Sequence, residues 1–346
     1  MMMKGNISKV SKMAWAPVLA ILLLTACGQK MEAPETVLQK AKEAIVEIES
    51  GDVKVGATLE GSSDQDNLGL TAALNLKFDK RVEGDQSLAV SFEASGSMKN
   101  EDQLMDGEVS AEFITVDKEY YLRLNELDSS DPNLDQIKPF LDLYSDRWLR
   151  IDEAIIPENI RELNTDDAEV QAKKEQLKAL FVETKLFEVS KEFGVESLGG
   201  EDVYHYGVTP DLDGFRSYVM GAARIDGVEL TNQEIEEAVE VLSHLKNVEL
   251  YVDTDDYFIR KAVFEFSGAA VDQQATLDAI LVVEGQDFNE AIEIEAPAGA
   301  EDFNPIELLM AFSEVPTMEV PADGSMVDEM IVTEEKSPES EEKENQ

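Results

Sequence analysis

The chain has 346 residues, of which 29 are basic and 74 acidic, for a formal net charge of −45. That charge repels nucleic acid and anionic lipid headgroups and keeps copies of the chain apart, so it argues against a nucleic-acid binder and predicts a monomer. With 43% hydrophobic residues the composition is ordinary for a globular protein and too apolar for one disordered throughout.

The N-terminus carries Lys4, Lys9 and Lys12, then an apolar run over residues 15–24, then Leu24-Thr25-Ala26-Cys27. A positive head, a short apolar middle and small residues before a cut describe a secretory signal. The run is shorter than the roughly 20 residues that span a bilayer. The segment resembles a bacterial lipoprotein signal, with Leu24, Thr25, Ala26 and Cys27 as its lipobox. The resemblance implies a diacylglycerol on the Cys27 thiol and a cut that makes Cys27 the mature N-terminus. Removing residues 1–26 takes away three Lys and no acid, so the mature charge is near −48. Cys27 is the only cysteine, so no disulfide can form within the chain. The body must fold on its apolar core.

Residues 27–35 read as a short tether. Pro34 suits the first turn of a helix. Val37, Leu38, Ala41, Ala44, Ile45 and Ile48 then recur at helical spacing, predicting a helix over 36–49 that ends near Ser50-Gly51. Alternation of period two follows: Val53, Val55, Ala57 and Leu59; Leu68 through Phe78; Leu88, Val90, Phe92 and Ala94; Val109, Ala111, Phe113 and Thr115; then residues 121–124. With turn residues between them, these segments predict five antiparallel strands in a meander, each apolar on one face.

Residues 127–147 read as irregular or helical, and 148–151 as a short strand. A mostly polar helix is predicted over 166–181, strands over 186–193 and 203–208, and a turn at Gly199-Gly200. Asp211 is a plausible N-cap for a helix over 212–223. Thr231 and Glu234 have capping-box spacing before a helix over 232–245. Strands return over 247–253, 258–267, 275–283 and 291–295. Residues 319–346 hold ten acids, two Lys and no apolar period, and residues 313–346 are read as an acidic disordered tail.

Two later stretches resemble lipoproteins of the LppX/LprG-like group within the wider LolA-like family. Gly200-Glu201-Asp202-Val203-Tyr204-His205-Tyr206-Gly207-Val208 is similar to a strand of the form G-x-x-x-Y-x-Y-x-V. Leu250 to Asp253, a turn, and Tyr257 to Ala262 are similar to the group's hairpin. The resemblance implies an α+β fold over 36–312: a strongly curved antiparallel β-sheet, a half-barrel, covered on its concave face by helices. It also implies an apolar cavity for a lipid or glycolipid. The helix over 232–245 would then line that space with Ile235, Val239 and Leu242.

Chemistry is sparse. His205 and His244 have no Cys partner and no HxxxH spacing, while a zinc site needs three or four ligands. No nucleophile elbow, phosphate loop or cofactor motif occurs. Asp253-Thr254-Asp255-Asp256 lacks the Gly and Glu of a calcium loop and reads as a hairpin turn. The sequence therefore points away from an enzyme, with neither metal nor cofactor expected. It predicts a lipoprotein on the extracytoplasmic side of the cell membrane, holding a lipid-like ligand. The alternative is an interaction lipoprotein with a filled core and a protein partner in the envelope. Cys27→Ala should abolish labelling by a metabolically fed fatty acid and leave the precursor uncut, because no other residue can form the thioether. Equal labelling of both proteins would end the lipoprotein reading.

Overall fold

The computed structural model describes residues 32–62, 66–81, 86–100, 103–130, 138, 143–156, 168–272 and 275–303. The chain divides into units 1–303 and 304–346. The signal, the lipobox, Cys27 and the acidic tail lie outside the described residues.

Helix α1 (Pro34–Val46) opens the body. Strands β1 (Ser50–Ser62), β2 (Asp66–Asp79), β3 (Ser87–Asn100), β4 (Gln103–Val116) and β5 (Glu119–Ser129) follow as the predicted meander. Next come β6 (Leu149–Ile151), α2 (Ala168–Glu183), β7 (Phe187–Leu198), β8 (Glu201–Pro210), α3 (Leu212–Asp226) and α4 (Asn232–Ser243). The chain returns to the sheet with β9 (Leu245–Asp253), β10 (Ile259–Asp272), β11 (Ala275–Gln286) and β12 (Glu301–Asp302).

All twelve strands join one sheet in the order β12-β6-β5-β4-β3-β2-β1-β11-β10-β9-β8-β7. Every pair is antiparallel except β12 with β6. The pairing of β1 with β11 makes one sheet of the meander and the C-terminal strands.

Three expectations need correction. The first helix ends at Val46 rather than near Gly51, and Ser50-Gly51 begins β1. Gly51 serves close packing instead of a cap, since a Cβ there would lie 2.8 Å from the Phe288 ring. No strand forms over 291–295; β11 is already paired on both sides, so the segment after it finds no free edge there. The sheet is α+β and largely antiparallel, but it is open and not strongly curled. Bulges and glycine kinks bend sheets, and the ladders β1–β2, β2–β3, β3–β4 and β1–β11 run without a register shift.

The core lies where α1 meets β8, β9 and β10. Val37 and Ala41 of α1 pack on Tyr204, Tyr206, Val208, Val248, Leu250, Val252 and Ala262. Burial of a side chain such as Val37, fully inaccessible to solvent, contributes ~1.5–3 kcal/mol. The helices brace each other. Lys42 Nζ donates to the carbonyls of Val182 (2.7 Å) and Thr184 (3.0 Å), a cation at the C-terminal end of α2. Leu180 of α2 packs over Gly221 of α3, where a Cβ would come within 2.7 Å of it. Arg216 of α3 clamps Glu236 of α4 with two hydrogen bonds of 2.9 and 3.0 Å. The predicted caps form: Asp211 accepts from Gly214 N, and Thr231 and Glu234 complete a capping box.

The Tyr206 hydroxyl is fully buried and has no hydrogen-bond partner among the described residues. Burial pushes it up to about 12, so it stays neutral. An unsatisfied buried hydroxyl costs about 1–3 kcal/mol. Tyr206→Phe should therefore hold or raise stability, by about 1 kcal/mol, in denaturant unfolding. A clear loss would show that the hydroxyl has a partner.

Candidate functional site: the open apolar face

Alternation in β1–β5 and β11 puts every second residue on one side of the sheet, and the register aligns these residues into rows across the strands. One row runs Gly285, Val53, Leu76, Val90, Phe113, Leu122. The next runs Val283, Val55, Leu74, Phe92, Ala111, Leu124. A third runs Leu281, Ala57, Ala72, Ala94, Val109, Leu127. The same face continues through Ala262 and Leu250 to Tyr206, beneath α1.

The described helices leave much of this face open. On the meander, Leu68 and Leu70 are 40% exposed and Phe92 and Met98 37%. Large apolar residues clustered in this way on one side mark a binding surface more often than singly scattered ones. The side where the helical layer gives out is marked by a groove of about 370 Å³ between α4 and β10–β11. Val241, Phe266, Leu277 and Ala279 form its apolar wall, and Glu237, Glu240 and His244 its rim.

Two further hollows, of about 470 and 340 Å³, lie mainly over residues of the opposite parity. Thr58, Thr71, Ser95 and Glu108 line both. Thr71 and Ser95 hydrogen-bond each other at 2.9 Å. Hydroxyls and carboxylates dominate the larger hollow, while Ala73, Ile280 and Val282 add an apolar wall to the smaller.

Ile235 and Val239 are buried, at 5% and 3% exposure, and Leu242 is half-buried. None of the three lines the groove beside α4. Val241, at 59% exposure, is the α4 residue that the sequence reading missed. Its signal was present: Val241 is apolar and lies off the stripe formed by Ile235, Val239 and Leu242.

The histidines stand apart from each other. His244 is the C-cap of α4. His205 lies on the side of β8 away from Tyr204 and Tyr206, stacked between Phe193 and Tyr251 with ring centroids 4.1 Å from each. Its Nδ1 is 3.4 Å from Glu196 and its Nε2 3.3 Å from Glu249. The expected hairpin turn forms at Asp253, whose carboxylate accepts from Asp255 N, Asp256 N and Arg260 Nε. No group of three or more metal-capable side chains gathers among the described residues.

No protein-family model and no curated protein matches this sequence. Among solved structures, similarity extends to the lipoprotein LppX of Mycobacterium tuberculosis, at 9% identity and TM-score 0.27, covering 76% of this chain and 100% of that one. It extends also to a domain assigned as an outer membrane lipoprotein-sorting protein from Vibrio parahaemolyticus, at 14% identity and TM-score 0.20, covering 75% and 94%. A DUF1329 family protein from Desulfovibrio piger is similar at 10% identity and TM-score 0.20, covering 77% and 96%. Likeness of this depth is one of layout, and the functional reading rests on the open face itself.

Burial separates two neighbouring valines of α4. Val239→Trp should overpack the space beneath the helix and cost about 1–3 kcal/mol. Val241→Trp, at an exposed position in the groove, should change stability by no more than about 0.5 kcal/mol. Denaturant unfolding of both variants checks this. Easy acceptance of Trp at 239 would reveal room beneath α4.

Proposed function

We propose that the chain is a membrane-anchored envelope lipoprotein, tethered through Cys27, that binds or carries a lipid-like apolar molecule on the extracytoplasmic side. The observation that carries this reading is the apolar face continuing beyond the helical layer, with Leu68, Leu70, Phe92 and Met98 37–40% exposed. The ligand lies against these rows and reaches the groove beside α4. The half-barrel cavity expected from the sequence becomes, on this reading, a space bounded by the sheet on one side and the helices along one flank. The protein binds its ligand without transforming it.

A second reading has support of its own. The packing under α1 and α4 is tight, with Val37, Ala41, Ile235 and Val239 all at 5% exposure or less. A core filled in that way suits an interaction lipoprotein whose open face meets a protein of the envelope.

Native extraction from the membrane followed by mass spectrometry of bound lipids separates the two. The lipid-carrier reading expects stoichiometric lipid on the wild type. Replacing Leu70 and Phe92 by Asp should reduce recovered lipid at least tenfold, with little change in melting temperature because both residues are already substantially exposed. A wild type that carries no lipid and binds none when it is added would favour the protein partner.

A further inference from the structure

His205 is buried in the sheet, with its side chain only 10% exposed. Phe193 of β7 and Tyr251 of β9 sandwich the imidazole at interplanar angles of 12° and 16°, which fixes the plane of the ring. Each ring nitrogen faces a carboxylate: Nδ1 lies 3.4 Å from Glu196 of β7, and Nε2 lies 3.3 Å from Glu249 of β9. A neutral imidazole has one N–H and one lone pair. Whichever nitrogen carries the proton, the other turns a lone pair toward a carboxylate oxygen. Only the imidazolium, with an N–H on each nitrogen, donates to both.

The groups around the ring favour that second proton. Burial raises the Glu249 pKa, but hydrogen bonds from Asn247 (3.2 Å) and Tyr251 (3.0 Å), together with His205 itself, bring it below the usual carboxylate range. Tyr251 is pushed up to about 12, first by burial and then by its bond to Glu249, so it stays neutral. The Lys191 ammonium sits 4.0 Å from the centre of the Phe193 ring. Lys261, opposite Tyr251 on β10, is paired with Glu284 at 2.9 Å. Asp253, opposite Val203 on β8, is taken up by its own turn and by Arg260. Helix α1 packs on the other side of β8, over Tyr204 and Tyr206.

Strand β7 is weakly held by its backbone. It is the last strand of the sheet and is bonded on one side only. Its ladder with β8 shifts register between Val189 and Lys191 and again between Glu192 and Gly194, where Phe193 sits. Phe187 and Val189 at its start pack against the core beneath α1, so the strand is tied to the centre of the fold. We propose that Glu196, His205 and Glu249 form a proton-operated clasp on this edge. The ring takes a proton from solvent, donates from Nδ1 to Glu196 and from Nε2 to Glu249, and so pins β7 to β8 and β9. When the proton returns to solvent, one of the two bonds is lost and the edge loosens. Charge-assisted bonds of this kind run to ~2.7–2.9 Å, so taking up the proton also draws the two carboxylates in. The folded chain holds this proton more tightly than the unfolded chain, so the clasp contributes its full share of stability at low pH and loses it as pH rises. A buried histidine without carboxylate partners would do the reverse, because burial favours the neutral ring. The clasp does not depend on what the open face binds.

The test measures amide hydrogen exchange of the full-length protein at about pH 8 and about pH 5.5, on either side of the ordinary histidine pKa of ~6.5. Rates are corrected for intrinsic exchange at each pH, and β2 serves as the internal reference. Protection of β7 relative to β2 should be at least about threefold greater at the lower pH in the wild type. Glu196→Gln, at a position 48% exposed, should abolish the difference without harm to folding. His205→Phe, which keeps an aromatic ring in the sandwich, should abolish it too. Nitrogen-15 NMR of the wild type at the lower pH should show an N–H on both nitrogens of His205, with His205→Phe assigning the signals. Protection of β7 that is equal at both pH values, or that falls at the lower one, would overturn the clasp. A pH response that survives Glu196→Gln, or a His205 ring with a single N–H at the lower pH, would overturn it as well.

Discussion

The structure depends on a register held without interruption. From β4 through β3, β2 and β1 to β11 the strands pair residue for residue with no bulge. Because side chains alternate with a period of two, a slip of one residue on any strand would carry its Leu, Val and Ala residues to the other side of the sheet. The continuous apolar face exists only while every strand keeps its place. The same regularity keeps the sheet from curling, since there is no bulge in this region to bend it.

That face is used in two ways. On β8–β10 it lies under α1 and forms the core, where a valine such as Val252 is fully buried. On β1–β4 the same residue types stay 37–40% exposed at Leu68, Leu70, Phe92 and Met98. The helices are locked to one another by Lys42 at the end of α2, by the Leu180–Gly221 contact and by the Arg216–Glu236 clamp. Buried packing is concentrated on one half of the sheet, and the other half stays more exposed.

Much of the fold was legible because its signals are local. Period two gave the meander, Asp211 gave the start of α3, and Thr231 with Glu234 gave the start of α4. What stayed hidden depends on contacts between distant residues. Nothing near Ser50 shows that Gly51 must admit the Phe288 ring, so the glycine looked like a helix cap. Nothing within residues 291–295 shows that β11 already has two partners. The groove residue Val241 is one of several apolar residues on α4, and only the position of β10–β11 distinguishes it.

The start of the body has a consequence for posture. Glu32, Lys40 and Tyr257 form a closed triangle of hydrogen bonds of 2.7–2.9 Å, tying the chain to the β9–β10 hairpin just before α1. Lys40 is held well above the usual lysine range and Glu32 below the usual carboxylate range, each chiefly by its bond to the other. Only five residue steps separate Glu32 from Cys27, at most ~18 Å of extended chain. On the lipoprotein reading this knot is a mooring: the hairpin end of the sheet rides close to the bilayer. The strands carry the opposite end, with Leu68 and Met98, about 34 Å beyond it, ten residue steps of ~3.4 Å along β2. A molecule leaving the membrane would meet the hairpin end first, and one handed over from across the envelope would meet Leu68 and Met98 first.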